Sequence, residues 1–559
     1  MRELHNRLLK MNGKPYGVYK SLQGQYWNFG DFTLKFTHIQ GDPHAQPSRV
    51  KLTAKLAELG FEEDLYKTEE KAIALSDFLL RGFSNCVGVG IVVPHSQIMV
   101  RNSLCIENGL VSLLASVNLP GESRRIDGEA ASQLLVGTLA DYVTTAMYFN
   151  NLNKEKLLAH IECYENRNYL QSQLKNLGLV AFVPNGAVLP RASGTSESPL
   201  ENAVIFESPK ELEVELKLRH CLNKGEGGVE KGEGNITGMG IPRGITVIAG
   251  GGFHGKSTLL HALEEAVYAH IPGDGREFVV VDETATPIKT EEGRVVNGTS
   301  ISALVRQLPF QKSTENFSTK NASGATSQAA NLLEAVELGT KTLLIDEDAS
   351  AVNFLIRDLR MRELINAKNE PLIPLTDKIR EFSASGLNFI IVVGACGDYL
   401  ALADTVIAFT EYKAECLTER ARQISDCVVE PNVVPEKMPM RNINPDYWVS
   451  LKIALKPTST IEKNVKIRVN AGQISIGQLK IDLRKFPTYC NLELQRGIAF
   501  LLHSLLNYNS EVVENKSLYE VLNSLCKSLP AEETFDLALP RIMEVGAAFL
   551  RINSEEYYK

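Results

Sequence analysis

The sequence predicts a mixed α/β chain of several domains, and three observations carry that prediction. An apolar stretch, Ile245 to Ala249, runs into a glycine-rich loop and then into the helical pattern Thr258 to His270. A second apolar stretch, Lys341 to Ile345, ends in the acids Asp346 and Glu347, and a third spans Phe389 to Cys396. Apolar strands followed by loops and helical stretches of this kind read as a mixed α/β chain. The length, 559 residues, exceeds one domain and calls for about three or four.

Composition excludes several classes. Hydrophobic residues make up 44% and charged residues 23% of the chain, as in globular proteins rather than disordered ones. The net charge of -8 argues against a chain that is basic overall and coats nucleic acid, while leaving room for a local basic face. No apolar run reaches the ~18 residues that suggest a membrane helix, and Met1 to Arg7 lacks the apolar centre of a signal peptide. The nine cysteines are scattered and include no C-x-x-C pair. That pattern fits free thiols in a reducing cytoplasm better than a disulfide framework or a zinc site.

Along the chain, residues 1–65 read as a small N-terminal unit. Phe32 to Ile39 alternates as a strand and runs into a Gly/Pro loop, Gly41 to Arg49. Glu70 to Phe83 reads as a helix, Val87 to Val93 with Gln97 to Ile106 as a hairpin, and Leu110 to Leu119 as a strand. Glu129 to Asn150 and Lys154 to Leu177 have helical periodicity, and Leu179 to Val183 is strand-like. Asn223 to Asn235, with five glycines, reads as a flexible loop. Four prolines between Pro431 and Pro445 mark a boundary, so residues 66–440 are expected to form the core and 441–559 a C-terminal α+β domain. That domain opens on the strand-like Trp448 to Leu455 and holds a helix near Leu492 to Leu506.

The most specific motif is Gly250-Gly251-Gly252-Phe253-His254-Gly255-Lys256-Ser257, followed by Thr258. It satisfies G-x-x-x-x-G-K-[ST] in the strand–loop–helix context that the motif requires. Glycines let the backbone curl so that its N–H groups face a phosphate at a helix N-terminus. Lys256 can reach the β- and γ-phosphates, and the Ser257 hydroxyl can ligate Mg²⁺. Asp346, at the end of an apolar strand, suits the metal, and Glu347 suits polarisation of an attacking water. Ser323-Gly324 opens the helical stretch Ala329 to Leu338 and lies 23 residues before Asp346, room for one helix and one strand.

In this order and spacing the chain resembles the ATPases of the ABC class, whose signature begins Ser-Gly. The strings "MGIPRGITVIAGGGFHGKSTLL", "ASGATSQAANLLEAVELG" and "LLIDEDASAVNF" carry the resemblance, with "LPGESRRIDGEAA" and "AFVPNGAVLPRASG" nearer the N-terminus. The resemblance implies an α/β fold: an ABC-type P-loop core, with its nucleotide elements within 245–410, between an N-terminal α+β domain and a small C-terminal α+β domain. It further implies ATP and Mg²⁺ as ligands, and a head-to-tail homodimer in which Ser323 and Gly324 of one copy cover phosphates bound by the other. It implies a soluble protein linked to nucleic acid, with RNA favoured over DNA. A nucleotide-binding subunit for a membrane transporter and a nucleotide-controlled scaffold are the alternatives.

Two departures stand out. The glutamine that such enzymes place near metal and water is expected at Gln307, 51 residues beyond Lys256. A switch histidine is expected after Phe389 to Val393, but the chain reads Gly394-Ala395-Cys396-Gly397-Asp398. Asp398 or the backbone there is left to position the reacting groups, which argues for slow turnover. Arg49, Arg124, Arg125 and Arg191, beside Gly- or Pro-rich turns, are the expected contributors to a basic face.

Overall fold

A computed structural model of the chain describes residues 1–84, 89–90, 95–194, 196–221, 234–308, 313–365, 369–425, 465–470, 472–486, 491–507, 516–530, 532 and 535–553. Most of Val87 to Val93 and of Asn223 to Asn235, and all of Pro431 to Pro445 and Trp448 to Leu455, lie outside these residues. The chain divides into two compact units. One comprises Met1–Asn166, Tyr268–Pro272 and Leu529–Leu539; the other comprises Arg167–Val267, Gly273–Ser528 and Pro540–Lys559.

The first unit is built on an antiparallel sheet. Tyr26–Asn28, Phe32–His38, Ser48–Lys55, Leu110–Val117 and Val89–Gly90 follow one another across it, and Leu104–Glu107 also pairs with Leu110–Val117. Phe32, Leu34 and Phe36 alternate into the core, as a strand with one buried face requires. The boundary expected at residue 65 falls inside this unit, because Ser48–Lys55 pairs along its whole length with Leu110–Val117. Such remote pairing leaves no local trace in composition. The expected strand Gln97 to Ile106 is broken into Gln97–Ile98, which pairs with Ala269–His270, and Leu104–Glu107. The helical stretch expected from Glu129 runs as Gly128–Ser132, a π turn at Gln133–Thr138, and Leu139–Met147.

A buried charge anchors this unit. Asp77, on the helix Glu69–Ser84, meets Arg81 at 2.6 Å, Arg101 at 2.7 Å and His160 at 3.1 Å. Burial pushes the Asp77 carboxyl up, but Arg81, and then His160 and Arg101, outweigh it and hold the group below the ordinary carboxylate range. The sign follows: a depressed carboxyl contributes stability that is complete above its unfolded value, about pH 4. That contribution fades only as acid titrates the folded group. Asp77→Asn should remove the buried charge that Arg81, Arg101 and His160 share and destabilise the unit by about 3–5 kcal/mol. Urea unfolding followed by circular dichroism at neutral pH checks this, and an unchanged midpoint would contradict it.

The second unit holds a six-stranded sheet in the order Thr286–Pro287, Thr342–Asp346, Asn388–Val392, Ile245–Gly250, Thr405–Thr410, Lys413–Cys416. The first five strands are parallel and the last is an antiparallel hairpin partner. Every residue of Asn388–Val392 is buried, the pattern of a central parallel strand. The helix Gly324–Glu337 covers the sheet's core. The helix after the glycine-rich loop spans Lys256–Glu265 rather than reaching His270, because Ala269–His270 leaves as a strand of the first unit. Beyond residue 440, Ile467–Asn470, Gln473–Ile476 and Leu479–Asp482 form a small antiparallel sheet. The helices Leu492–Leu506, Leu518–Leu525 and Ile542–Leu550 accompany it. Among the described residues no helix is long and apolar enough to cross a membrane.

Candidate functional site

In a parallel sheet the carboxyl ends of the strands share one edge, where ligands of open α/β folds bind. Register aligns Ile248 with Val392, and Val392 with Asp346. The glycine-rich loop, Asp346-Glu347 and Gly394-Ala395 therefore all leave the sheet at that edge. The strand Asn388–Val392 separates the loop strand from the acid strand.

The loop is shaped by backbone constraints. Gly250 stands at φ 139, and a Cβ there would lie 2.6 Å from the Phe409 carbonyl oxygen. Gly255 caps the helix at φ 99. Phe253 takes φ 63 with its ring 98% exposed. A left-handed non-glycine residue costs about 1–3 kcal/mol, so the loop tip stores strain. The hairpin turn Glu411-Tyr412 braces the loop: the Glu411 amide donates to His254 Nδ1 at 2.9 Å, and a Cβ on Gly255 would lie 3.3 Å from the Tyr412 ring. Lys256 Nζ donates to the carbonyls of Gly250, at 2.7 Å, and Gly251, at 2.5 Å. Its only partners among the described residues are these neutral oxygens, so its charge is free to be met by an anion.

Gly251, Gly252 and Ser257 are exposed, and Thr258 is half-buried on the first turn of the helix. Asp346 Oδ1 accepts from the Asp348 amide at 3.0 Å, which fixes the carboxylate at the strand end. The Ser257 hydroxyl, on the first turn of the helix after the loop, and the Asp346 carboxylate, at the strand end, are both oxygen donors. No group of three or more His, Cys, Asp or Glu side chains that could hold a metal occurs among the described residues. Mg²⁺ suits such a pair, since it keeps several waters and takes its other ligands from phosphate oxygens.

Glu347 Oε2 accepts from two backbone amides, Gly394 at 2.6 Å and Ala395 at 3.0 Å. These amides lie where a histidine is expected. Asp398 is exposed at the start of the helix Asp398–Leu402, and its side chain makes no hydrogen bond among the described residues. Burial, with the charges of Asp398 and Glu347, pushes the Cys396 thiol up to about 11, so it stays neutral near pH 7. Gln307 is exposed, beside Arg306, whose amide donates to Pro371.

Ser323 is the N-cap residue of Gly324–Glu337, and its hydroxyl lies 2.9 Å from that of Thr326. One contact chain that sequence reasoning missed ties this helix to the acid strand. Buried Gln328 donates to Ser350 Oγ at 2.7 Å and accepts from the Ala351 amide at 2.9 Å. Ser350 Oγ in turn donates to the Asp346 carbonyl at 2.7 Å. Gln328 is one of several buried polar residues on this helix, and its side-chain type gave no signal of this contact.

Two of the four expected surface arginines are internal. Arg49 is 4% exposed, 2.8 Å from Asp536, and donates to Ser116. Arg191 donates to Asp274 and to the carbonyls of Val188 and Glu197. Both guanidinium groups hold loops together, so neither belongs to an exposed basic face. Arg124 and Arg125 are exposed at the hairpin Gly121–Ile126.

Residues 1–150 match the family profile described as ATPase of the ABC class N-terminal, and residues 153–444 match the P-loop domain profile of the ABC ATPases. The uncharacterized protein MJ1628 of Methanocaldococcus jannaschii is 30% identical over 261 residues, which are 45% of this chain and 55% of that protein. The chain thus spans about half the length of this curated relative. Similar solved structures include the ADP conformation of MJ1267, an ATP-binding cassette of an ABC transporter. It has 11% identity, 36% of this chain and 89% of that one covered, and a TM-score of 0.23. The cbiO1 protein from Clostridium perfringens, part of the ABC transporter complex cbiONQ, has 14% identity, coverages of 38% and 92%, and a TM-score of 0.24.

Proposed function

The chain belongs to the ATPases of the ABC class, and on that premise we propose that it hydrolyses ATP slowly, with Mg²⁺, at two composite sites of a head-to-tail homodimer. The observation that carries the reading is the single sheet edge shared by the loop, the acid pair and the amides that hold Glu347. The loop amides from Gly250 to Gly255 cradle phosphate oxygens, and Lys256 balances the β- and γ-phosphate charge. Ser257, Thr258 and Asp346 hold phosphate and metal. The bound metal supplies charge neutralisation at the phosphates. Glu347 orients the attacking water and accepts its proton. Ser323 and Gly324 of the second copy close over the γ-phosphate.

Of the two groups expected to stand in for a histidine, the Asp398 carboxylate would repel a γ-phosphate. The amides of Gly394 and Ala395 already meet Glu347 and take the sensing role in this reading. Gln307 is assigned to the metal and water from motif order alone. The test is turnover in the wild-type protein with and without Mg²⁺. No phosphate release above background in either condition would overturn the reading.

The output proposed is clamping or remodelling of nucleic acid, with RNA favoured. Support comes from the resemblance and from the hairpin carrying Arg124 and Arg125. Its turn residues Ser123 and Arg124 stand at φ 49 and 61, strain of the kind found at functional sites. Changing Arg124 and Arg125 to serine should weaken RNA binding and lower the slope of log affinity against log salt by about one per lost phosphate contact. Titrations at several salt concentrations check this. No RNA binding by the wild-type protein at low salt, with or without ATP, would remove nucleic acid as the partner.

A further inference from the structure

Buried polar contacts of the helix Gly324–Glu337 lead to the far end of the chain. The Gly324 carbonyl accepts from Ser327 Oγ at 2.7 Å and from Thr290 Oγ1 at 3.0 Å. Ser327 Oγ also accepts from the Glu291 amide at 3.0 Å. The Glu291 carboxylate takes both arms of Arg551, Nη2 at 2.6 Å and Nε at 3.1 Å. Arg551 Nη2 also donates to Asn331 Oδ1 at 2.8 Å. That oxygen is shared with Arg294 Nη1 at 2.5 Å, and Arg294 Nη2 reaches both oxygens of Glu334 at 2.6 Å. Asn331 and Glu334 lie on the same helix as Ser327.

Three features make this set more than packing. Glu291, Arg294, Asn331, Glu334 and Arg551 are each at most 8% exposed, and two carboxylates balance two guanidinium groups. A buried, charge-balanced set of this kind contributes little net stability over apolar residues of the same volume, so its use lies more in fixing geometry. Arg551 follows the helix Ile542–Leu550, and that helix packs closely on the end of Gly324–Glu337: a Cβ at Gly546 would lie 2.2 Å from the Leu338 side chain. Arg551 thereby joins segments more than 200 residues apart, and it lies beyond residue 444, where the matched family profile ends.

We propose that Arg551 is a positioning residue for hydrolysis: through Glu291 and Ser327 it sets the Ser323-Gly324 turn for the nucleotide bound by the second copy. The proposal rests on the reading of that turn given above. It gives the C-terminal segment a hold on the turn through Glu291 and Ser327. A partner that loosened the helix Ile542–Leu550 would slow hydrolysis without touching the phosphate loop.

The test uses the full chain. Arg551→Met combined with Glu291→Gln removes the pair without stranding a charge. Ser327→Ala cuts the relay and leaves every charge in place, so it serves if the double variant does not fold. In either variant kcat should fall about ten-fold while KM for ATP holds, a change of the size seen for coupled networks. Amides 325–328 should exchange hydrogen about ten-fold faster, while those of the helix Lys256–Glu265 keep their wild-type rates. Arg551→Lys keeps the charge and should recover part of both effects. Wild-type kcat, or exchange raised equally in both helices, would overturn the proposal, since the latter signals an ordinary loss of stability. Failure of the underlying reading looks different: the wild-type protein itself then shows no turnover.

Discussion

Replacing Glu347 by glutamine is expected to cut steady-state ATP turnover about 10²–10⁴-fold, the usual contribution of a positioned general base. The side chain sits one residue past the strand end, held at 2.6 and 3.0 Å by the amides of Gly394 and Ala395. Glutamine keeps an oxygen that can accept from those amides, so the local backbone should stay in place. It lacks the charge and basicity needed to take a proton from water. Asp346, Ser257 and Lys256 are untouched, so Mg-ATP should bind as before and the composite site should close but not fire. The variant should therefore elute as a dimer in ATP and as the wild type does without it, by sizing chromatography with light scattering. Wild-type turnover in this variant would remove Glu347 from its assigned role.

The glycine-rich loop and the acid pair were the most legible parts of this chain because their sequence signals are local. A loop that must present amides to an anion needs glycine at Gly250 and Gly255, and Lys256 must follow at once. Asp346 and Glu347 likewise stand out because acids ending an apolar strand are conspicuous in a linear pattern. What stayed hidden depends on contacts between remote segments. Arg49 looks like any arginine beside a proline-rich turn, and only the return of residues 529–539 to the N-terminal unit buries it on Asp536. Strand pairing across the first unit, which overrides the boundary at residue 65, is remote in the same way.

The missing histidine shows the same limit at the site itself. Sequence comparison by residue type looks for a side chain, whereas Gly394 and Ala395 meet Glu347 with backbone N–H groups that every non-proline residue has. Backbone function is silent in a sequence unless glycine or proline marks it. Gly394 leaves open space around the amide here, since a Cβ there would still stand 3.9 Å from Glu347 Oε2. The network around Arg551 was silent for another reason: Glu291, Arg294 and Arg551 belong to no motif, and their pairing with Asn331 and Glu334 emerges only on burial.

Removing the loop's fixed charge should have its largest effect on binding. Lys256→Ala is expected to weaken Mg-ATP affinity about 100-fold, or about 3 kcal/mol, the loss of strong charge-assisted hydrogen bonds to phosphate. Among the described residues the ammonium contacts only the carbonyls of Gly250 and Gly251, so no ion pair is broken in the free protein. Lys256 is also the first residue of its helix, where alanine is well tolerated. The fold should therefore survive, and the affinity change reports on the ligand rather than on unfolding. His254 cannot substitute, because its Nδ1 is engaged by the Glu411 amide and its ring lies against Gly251. Calorimetry with Mg-ATP, alongside a thermal melt, makes the comparison. Unchanged affinity in a folded variant would contradict a phosphate-binding role for the loop, whereas a selective loss would separate nucleotide capture at Lys256 from the water step at Glu347.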